Sequence, residues 1–119
     1  MIRLFLLVEG LSFLLASLVH AGRLVPGYEH PQARVAESVI GTVLVLGWLW
    51  TLIRPVSLRR TALVVQGFAL LGTLVGVFTI LVGVGPGTAP DVAYHVAIVV
   101  ILGLGLRAAV KLPPPRSVR

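Results

Sequence analysis

Apolar residues run along this chain in four long stretches, roughly Ile2–Ala21, Pro31–Ile53, Leu58–Val84 and Pro90–Val110. The runs are continuous rather than alternating, which points to helices and away from the dyad pattern of a membrane barrel strand. Each can supply the ~20 helical residues that a bilayer core requires. The punctuation agrees. Pro31 suits the first turn of a helix, where its missing N–H is not needed. Arg54-Pro55 stops the second stretch, because the residue before proline is pushed out of the helical region. Ser57 stands where an N-cap belongs, Gly83, Gly85, Pro86 and Gly87 break the third stretch, and Thr88-Ala89-Pro90-Asp91 has the spacing of a capping box. The connections Gly22–His30, Arg54–Ser57 and Gly85–Ala89 are too short for a soluble domain, so successive helices run antiparallel. The predicted fold is an all-α membrane protein. An antiparallel four-transmembrane-helix bundle occupies residues 1–112, and residues 113–119 form a basic, proline-rich cytoplasmic tail.

Composition sharpens this picture. Of 119 residues, 57% are hydrophobic and 12% charged, against about 25% charged in an ordinary soluble domain. A soluble globule has nowhere to hide so much apolar surface. There is no cysteine, which removes disulfides, thiolate zinc sites and iron–sulfur clusters. The net charge of +6 suggests nucleic acid in a soluble protein; here the basic residues fall in the connections and report topology instead. Arg3, Arg54, Arg59, Arg60, Arg107, Lys111, Arg116 and Arg119 belong to one side. Arg23 and Arg34 belong to the other, offset by Glu29, Glu37 and Asp91. The positive-inside rule then makes both termini cytoplasmic. Arginine in place of lysine, with much Ala, Val, Leu, Gly and Pro, fits a bacterial inner membrane. Met1–Gly22 also resembles a secretory signal, but Glu9 interrupts its apolar run, and the stretch is read as a retained helix.

Ionisable residues inside spans are costly and mark function. Glu9 and His20 lie eleven residues apart, within about 20° of each other on a helical wheel, with Ser12, Phe13 and Ala16 on the same stripe. Glu37, Gly41, Leu44, Trp48 and Thr51 share a stripe on the second helix. Gly72, Gly76, Thr79 and Gly83 line up on the third, and Asp91, His95, Ile98 and Leu102 on the fourth. Lipid offers polar atoms no partners, so these faces are expected to point inward. Depth divides the polar groups into two tiers. The outer tier is His20, Glu37, Asp91, Tyr94 and His95, with Tyr28, Glu29 and His30 from the first connection. The inner tier is Glu9 with Trp48, Thr51 and Gln66.

Each group has a structural and a chemical reading. His20 and His95, on two helices at similar depth, are candidate ligands for haem b or a metal ion, with Arg23 and Arg34 near the propionates. Their structural reading is hydrogen bonding to Asp91, Glu37 or water. Glu37 is a metal ligand or proton acceptor, or else pairs with Arg34 or His20. Asp91 is a helix cap first and a site residue second, and His30 serves the loop or the start of the second helix. Glu9 has no basic neighbour within a turn, so it is expected to be neutral or bonded to Ser12, Gln66 or the Trp48 indole. The Gly72–Gly76 pair is read as close packing before dimerisation. No nucleophile elbow, triad, phosphate loop or HExxH pattern is present.

A four-span chain with one carboxylate in its first helix resembles the small multidrug resistance transporters. Glu9 alone carries that resemblance, and Val8-Glu9-Gly10 and the rest of the chain depart from the family's pattern, so no family is assigned. The leading expectation is a binding or accessory subunit, a homodimer or part of a larger membrane complex. Its outer cluster would hold a haem, metal, quinone or lipid. The alternative is a small, dimeric, proton-coupled transporter in which Glu9, with Gln66 and Trp48, takes proton and cation in turn. A third expectation is a membrane-embedded enzyme acting on a lipid or isoprenoid, with Glu37, Asp91 and His95 as acid–base groups.

Overall fold

A computed structural model describes residues 1–114. The tail arginines Arg116 and Arg119 lie outside the described residues. Four helices follow in order: α1 (Ile2–His20), α2 (Pro31–Ile53), α3 (Leu58–Leu81) and α4 (Ala89–Val110). All four are long and apolar enough to cross a membrane, and there is no strand among the described residues.

The helix ends show how the sequence sets them. Thr88 accepts from the backbone N–H of Asp91, while the Asp91 carboxylate accepts from the Thr88 N–H at 3.1 Å. This is the capping box that the spacing predicts. At α2 the cap is His30, whose Nδ1 accepts from Ala33 N–H at 3.2 Å, with Pro31 in the first turn. Ser57 occupies the N-cap position of α3 but does not cap it. Its hydroxyl donates back to the Arg54 carbonyl at 2.7 Å, because Pro55–Ser57 form a single 3-10 turn that places that carbonyl within reach. Helix α3 stops at Leu81, short of Val84. Gly83 takes a left-handed φ of +78°, and the N–H groups of Val84 and Gly85 fold back onto the Thr79 carbonyl at 2.9 and 2.8 Å, a glycine-dependent C-terminal stop.

The helices neighbour one another in chain order around a ring, with α1 and α3 also touching across it. One end carries the N-terminus, the Arg54–Ser57 connection and the end of α4. It holds Arg3, Arg54, Arg59, Arg60, Arg107 and Lys111, and is the basic end. The other is the histidine end. At the basic end the Arg3 guanidinium donates to the Thr51 carbonyl at 2.8 Å, tying the start of α1 to the close of α2.

Glycine makes the α1–α2 contact the closest in the bundle. A methyl group placed on Gly10 would lie 2.8 Å from Val45 Cγ2 and 3.2 Å from the Val45 backbone nitrogen; one on Gly41 would lie 3.0 Å from the Gly10 carbonyl oxygen. Backbone meets backbone there, as small residues allow in membrane helices. The core includes Leu6, Phe13, Ile40, Leu44, Ala69, Ile98 and Leu102, while Leu4, Leu15, Leu46, Val64, Leu71, Phe78 and Val96 point outward. That inside-out distribution suits lipid as the solvent.

Overpacking follows directly from this geometry. Gly41→Val should lower folding stability by about 1–3 kcal/mol, read as an earlier midpoint in a reversible SDS titration. Gly67→Ala, where an added methyl meets nothing within 4 Å, should leave the midpoint unchanged or raise it.

Candidate functional site

The stripe on α1 carries polar residues to both depths of the bundle, and each meets partners from other helices. At the histidine end the His20 ring lies between two carboxylates. Nδ1 is 2.7 Å from Glu37 Oε2 on α2, and Nε2 is 3.0 Å from Asp91 Oδ1 on α4. All three residues are buried. Both ring nitrogens therefore face acceptors, and the pairing is complete when the ring carries both protons. The other Asp91 oxygen holds the Thr88 hydroxyl and amide. A continuous hydrogen-bonded chain thus runs from Glu37 through His20 and Asp91 to Thr88 at the start of α4. An imidazole between two carboxylates can take a proton at one nitrogen and release one at the other.

The sequence offered Arg34 or His20 as partner for Glu37, and it is His20 that binds it; Arg34 and Arg23 are exposed. Asp91 is both cap and site residue. Glu37 Oε1, in a residue only 5% exposed, has no hydrogen-bond partner.

His95 stands beside this cluster and bonds to its backbone alone. Its Nδ1 donates to the Asp91 carbonyl at 2.8 Å, and its Nε2 points toward α3, where a methyl on Gly76 would approach it to 3.1 Å. Tyr94 turns the other way. The Ser12 hydroxyl donates to the Glu9 carbonyl at 2.9 Å, so the Tyr94 phenol donates to Ser12 Oγ at 3.4 Å. Its ring packs edge-on against Phe13 and His95, with centroids 6.1 and 5.8 Å apart.

Two clefts flank the cluster. One, of about 190 Å³, lies between α2 and α3 and is bordered by Glu37, His95, Ile40, Gly72 and Gly76. The other, of about 250 Å³, lies between α1 and α4 and is bordered by His20, Asp91, Tyr94, Ser12 and Tyr28. The two candidate haem ligands therefore open into different clefts, and both His20 nitrogens already face carboxylates. The arrangement offers haem no pair of free, facing imidazoles. Among the described residues, no group of three or more His, Asp or Glu side chains is placed to hold a metal ion.

The deeper pair joins α1 to α3. Gln66 Nε2 donates to both Glu9 oxygens at 3.0 Å, and both residues are fully buried. Of the partners named for Glu9, Gln66 alone meets its carboxyl; Ser12 bonds the main chain, and Trp48 packs against the apolar core. The pair is closed off by Gly105 of α4, where a methyl would come within 2.7 Å of Glu9 Oε1 and would also strike the Gln66 amide. Sequence reasoning passed over Gly105. It continues the stripe Asp91, His95, Ile98, Leu102 by one more step of three, and that signal could have found it. His30 serves the start of α2 as one of its two expected roles has it, and it makes a second bond that the sequence does not announce: Nε2 donates to the Val84 carbonyl at 3.2 Å and joins the first connection to the third.

Removing one partner of a buried pair strands the other. Gln66→Leu should cost about 1–3 kcal/mol of stability, measured in the same SDS titration, and Gly105→Ala should shift the midpoint in the same direction. Glu9→Gln, whose amide oxygen can still accept from Gln66 Nε2, should cost less than either. Comparison with protein families, with characterised proteins and with solved structures returns no match for this chain, so its function is read from the geometry alone.

Proposed function

We propose that this is a small multi-pass membrane protein that binds a lipid-soluble ligand at its histidine end and serves as a binding or accessory subunit, alone as a homodimer or within a larger membrane complex. One observation carries the reading. Glu37 borders the α2–α3 cleft, and one of its buried carboxylate oxygens, Oε1, has no partner. An unsatisfied buried acceptor costs about 1–3 kcal/mol, and a bound donor removes that cost. Around it the cleft is apolar and narrow, as small-ligand sites are.

The sidedness follows from charge. The basic end belongs in the cytoplasm and the histidine end in the outer leaflet of a bacterial inner membrane, with both termini inside. The ligand then enters laterally between α2 and α3 from the outer leaflet. Transport through Glu9 draws less support, since that residue borders neither cleft and is closed in by Gln66 and Gly105.

The test is co-purification. Protein isolated in mild detergent is extracted, and its bound amphiphiles are identified by mass spectrometry, alongside an absorption spectrum and metal analysis. Wild-type protein should carry a stoichiometric amphiphile. Ala36→Leu, which fills the cleft without touching a hydrogen bond, should lose most of it. Equal content in both proteins overturns the reading, and a Soret band lost in His20→Ala replaces it with haem binding.

A further inference from the structure

The α2–α3 cleft is unusually one-sided in its hydrogen bonding. Its possible donors are already engaged. The Thr73 hydroxyl donates to the Ala69 carbonyl and the Thr79 hydroxyl to the Gly76 carbonyl, both at 2.7 Å. The His30 Nε2–H donates to Val84, and the Gly85 N–H to Thr79. Gln32, at the exposed mouth, brings the one side-chain amide among the bordering residues. Two acceptors remain open. Glu37 Oε1 has no partner. His95 uses its Nδ1 proton on the Asp91 carbonyl, so in the neutral ring Nε2 carries a lone pair and no proton. That lone pair lies beside Gly76, where a methyl group would approach it to 3.1 Å. With the His20 Nδ1–H donating to Oε2, the Glu37 carboxylate has Oε1 as its second acceptor.

We infer that this cleft binds a membrane amphiphile through two hydrogen-bond donors on its headgroup, and so selects the donor-bearing form of a lipid over its acceptor-only counterpart. The inference rests on the proposed function and specifies its ligand. Two membrane sources share this chemistry. A quinol presents two hydroxyl donors where the quinone presents only carbonyl acceptors. A primary-ammonium phospholipid presents N–H donors where a quaternary-ammonium one presents none. In each case the apolar walls suit the tail. An acceptor-only headgroup meets Glu37 and His95 acceptor to acceptor. That mismatch leaves buried polar groups unpaired on both sides and discriminates strongly between otherwise similar ligands.

The experiment uses the full chain in phosphatidylcholine nanodiscs. One arm measures binding of a short-chain quinol, kept reduced under argon, against its quinone. The other measures retention of phosphatidylethanolamine against phosphatidylcholine by native mass spectrometry. A preference of about tenfold or more for the donor-bearing member is expected in one arm, and that arm identifies the source. In Glu37→Gln the amide can turn its NH2 toward the cleft, so the preference should shrink or invert. Ala36→Leu should abolish binding of both members, and it disturbs no hydrogen bond should the Glu37 variant fail to fold. Equal affinity for both members in both arms overturns the inference, as does a preference untouched by Glu37→Gln. If ligand binds without donor preference and Ala36→Leu still expels it, the cleft stands as a site and only the inference falls. If Ala36→Leu changes nothing, both fall together.

Discussion

An imidazole held between two carboxylates, away from water, governs the histidine end of this protein. His20 contributes α1, Glu37 α2 and Asp91 α4, so one side chain fixes the relative rotation and depth of three helices. In lipid such groups cannot be left loose, because nothing in the surroundings replaces a missing partner. The cluster therefore has to form whole, and it does so with one oxygen to spare. That spare oxygen separates a purely structural knot from a site with something still to bind.

The second constraint is close approach. Gly10 and Gly41 let the backbones of α1 and α2 touch, and this contact brings His20 within 2.7 Å of Glu37. Gly105 does a similar service at depth, giving Glu9 and Gln66 room to meet across the ring. Gly76 of α3 likewise leaves room for the His95 ring of α4. Small residues thus serve close packing on all four helices.

Much of this was legible in the chain. Proline and glycine placed the helix ends to within a few residues, and Thr88 to Asp91 announced its own cap. Periodicity put Glu9 and His20 on one face, and also Glu37 with Leu44 and Thr51. The inward face of α3 was read less well. The stripe Gly72, Gly76, Thr79 is only partly buried and borders the cleft, whereas Ala62, Gln66, Ala69 and Thr73 form the buried face. A wheel gives the angle between residues but not the direction of the bundle axis, and a cleft-lining face looks as small and polar as a core-lining one. Helix order was equally beyond the pattern. Hence the wheel could not decide that Gln66, and not Trp48, would reach Glu9, nor that His20 and His95 would open to different sides.

Each helix packs most extensively on its own hairpin partner, α1 on α2 and α3 on α4, which bears on how the chain enters a membrane. The first hairpin carries His20 and Glu37 together, so an acid and its base are matched within one hairpin. Asp91 then joins a neutralised pair. Glu9 has no such companion in its own hairpin; its amide arrives later, on α3. For that interval a lone carboxyl waits in the bilayer, and docking of the second hairpin is what relieves it. The deep pair thus makes assembly of the two halves favourable in a way that apolar faces in lipid cannot.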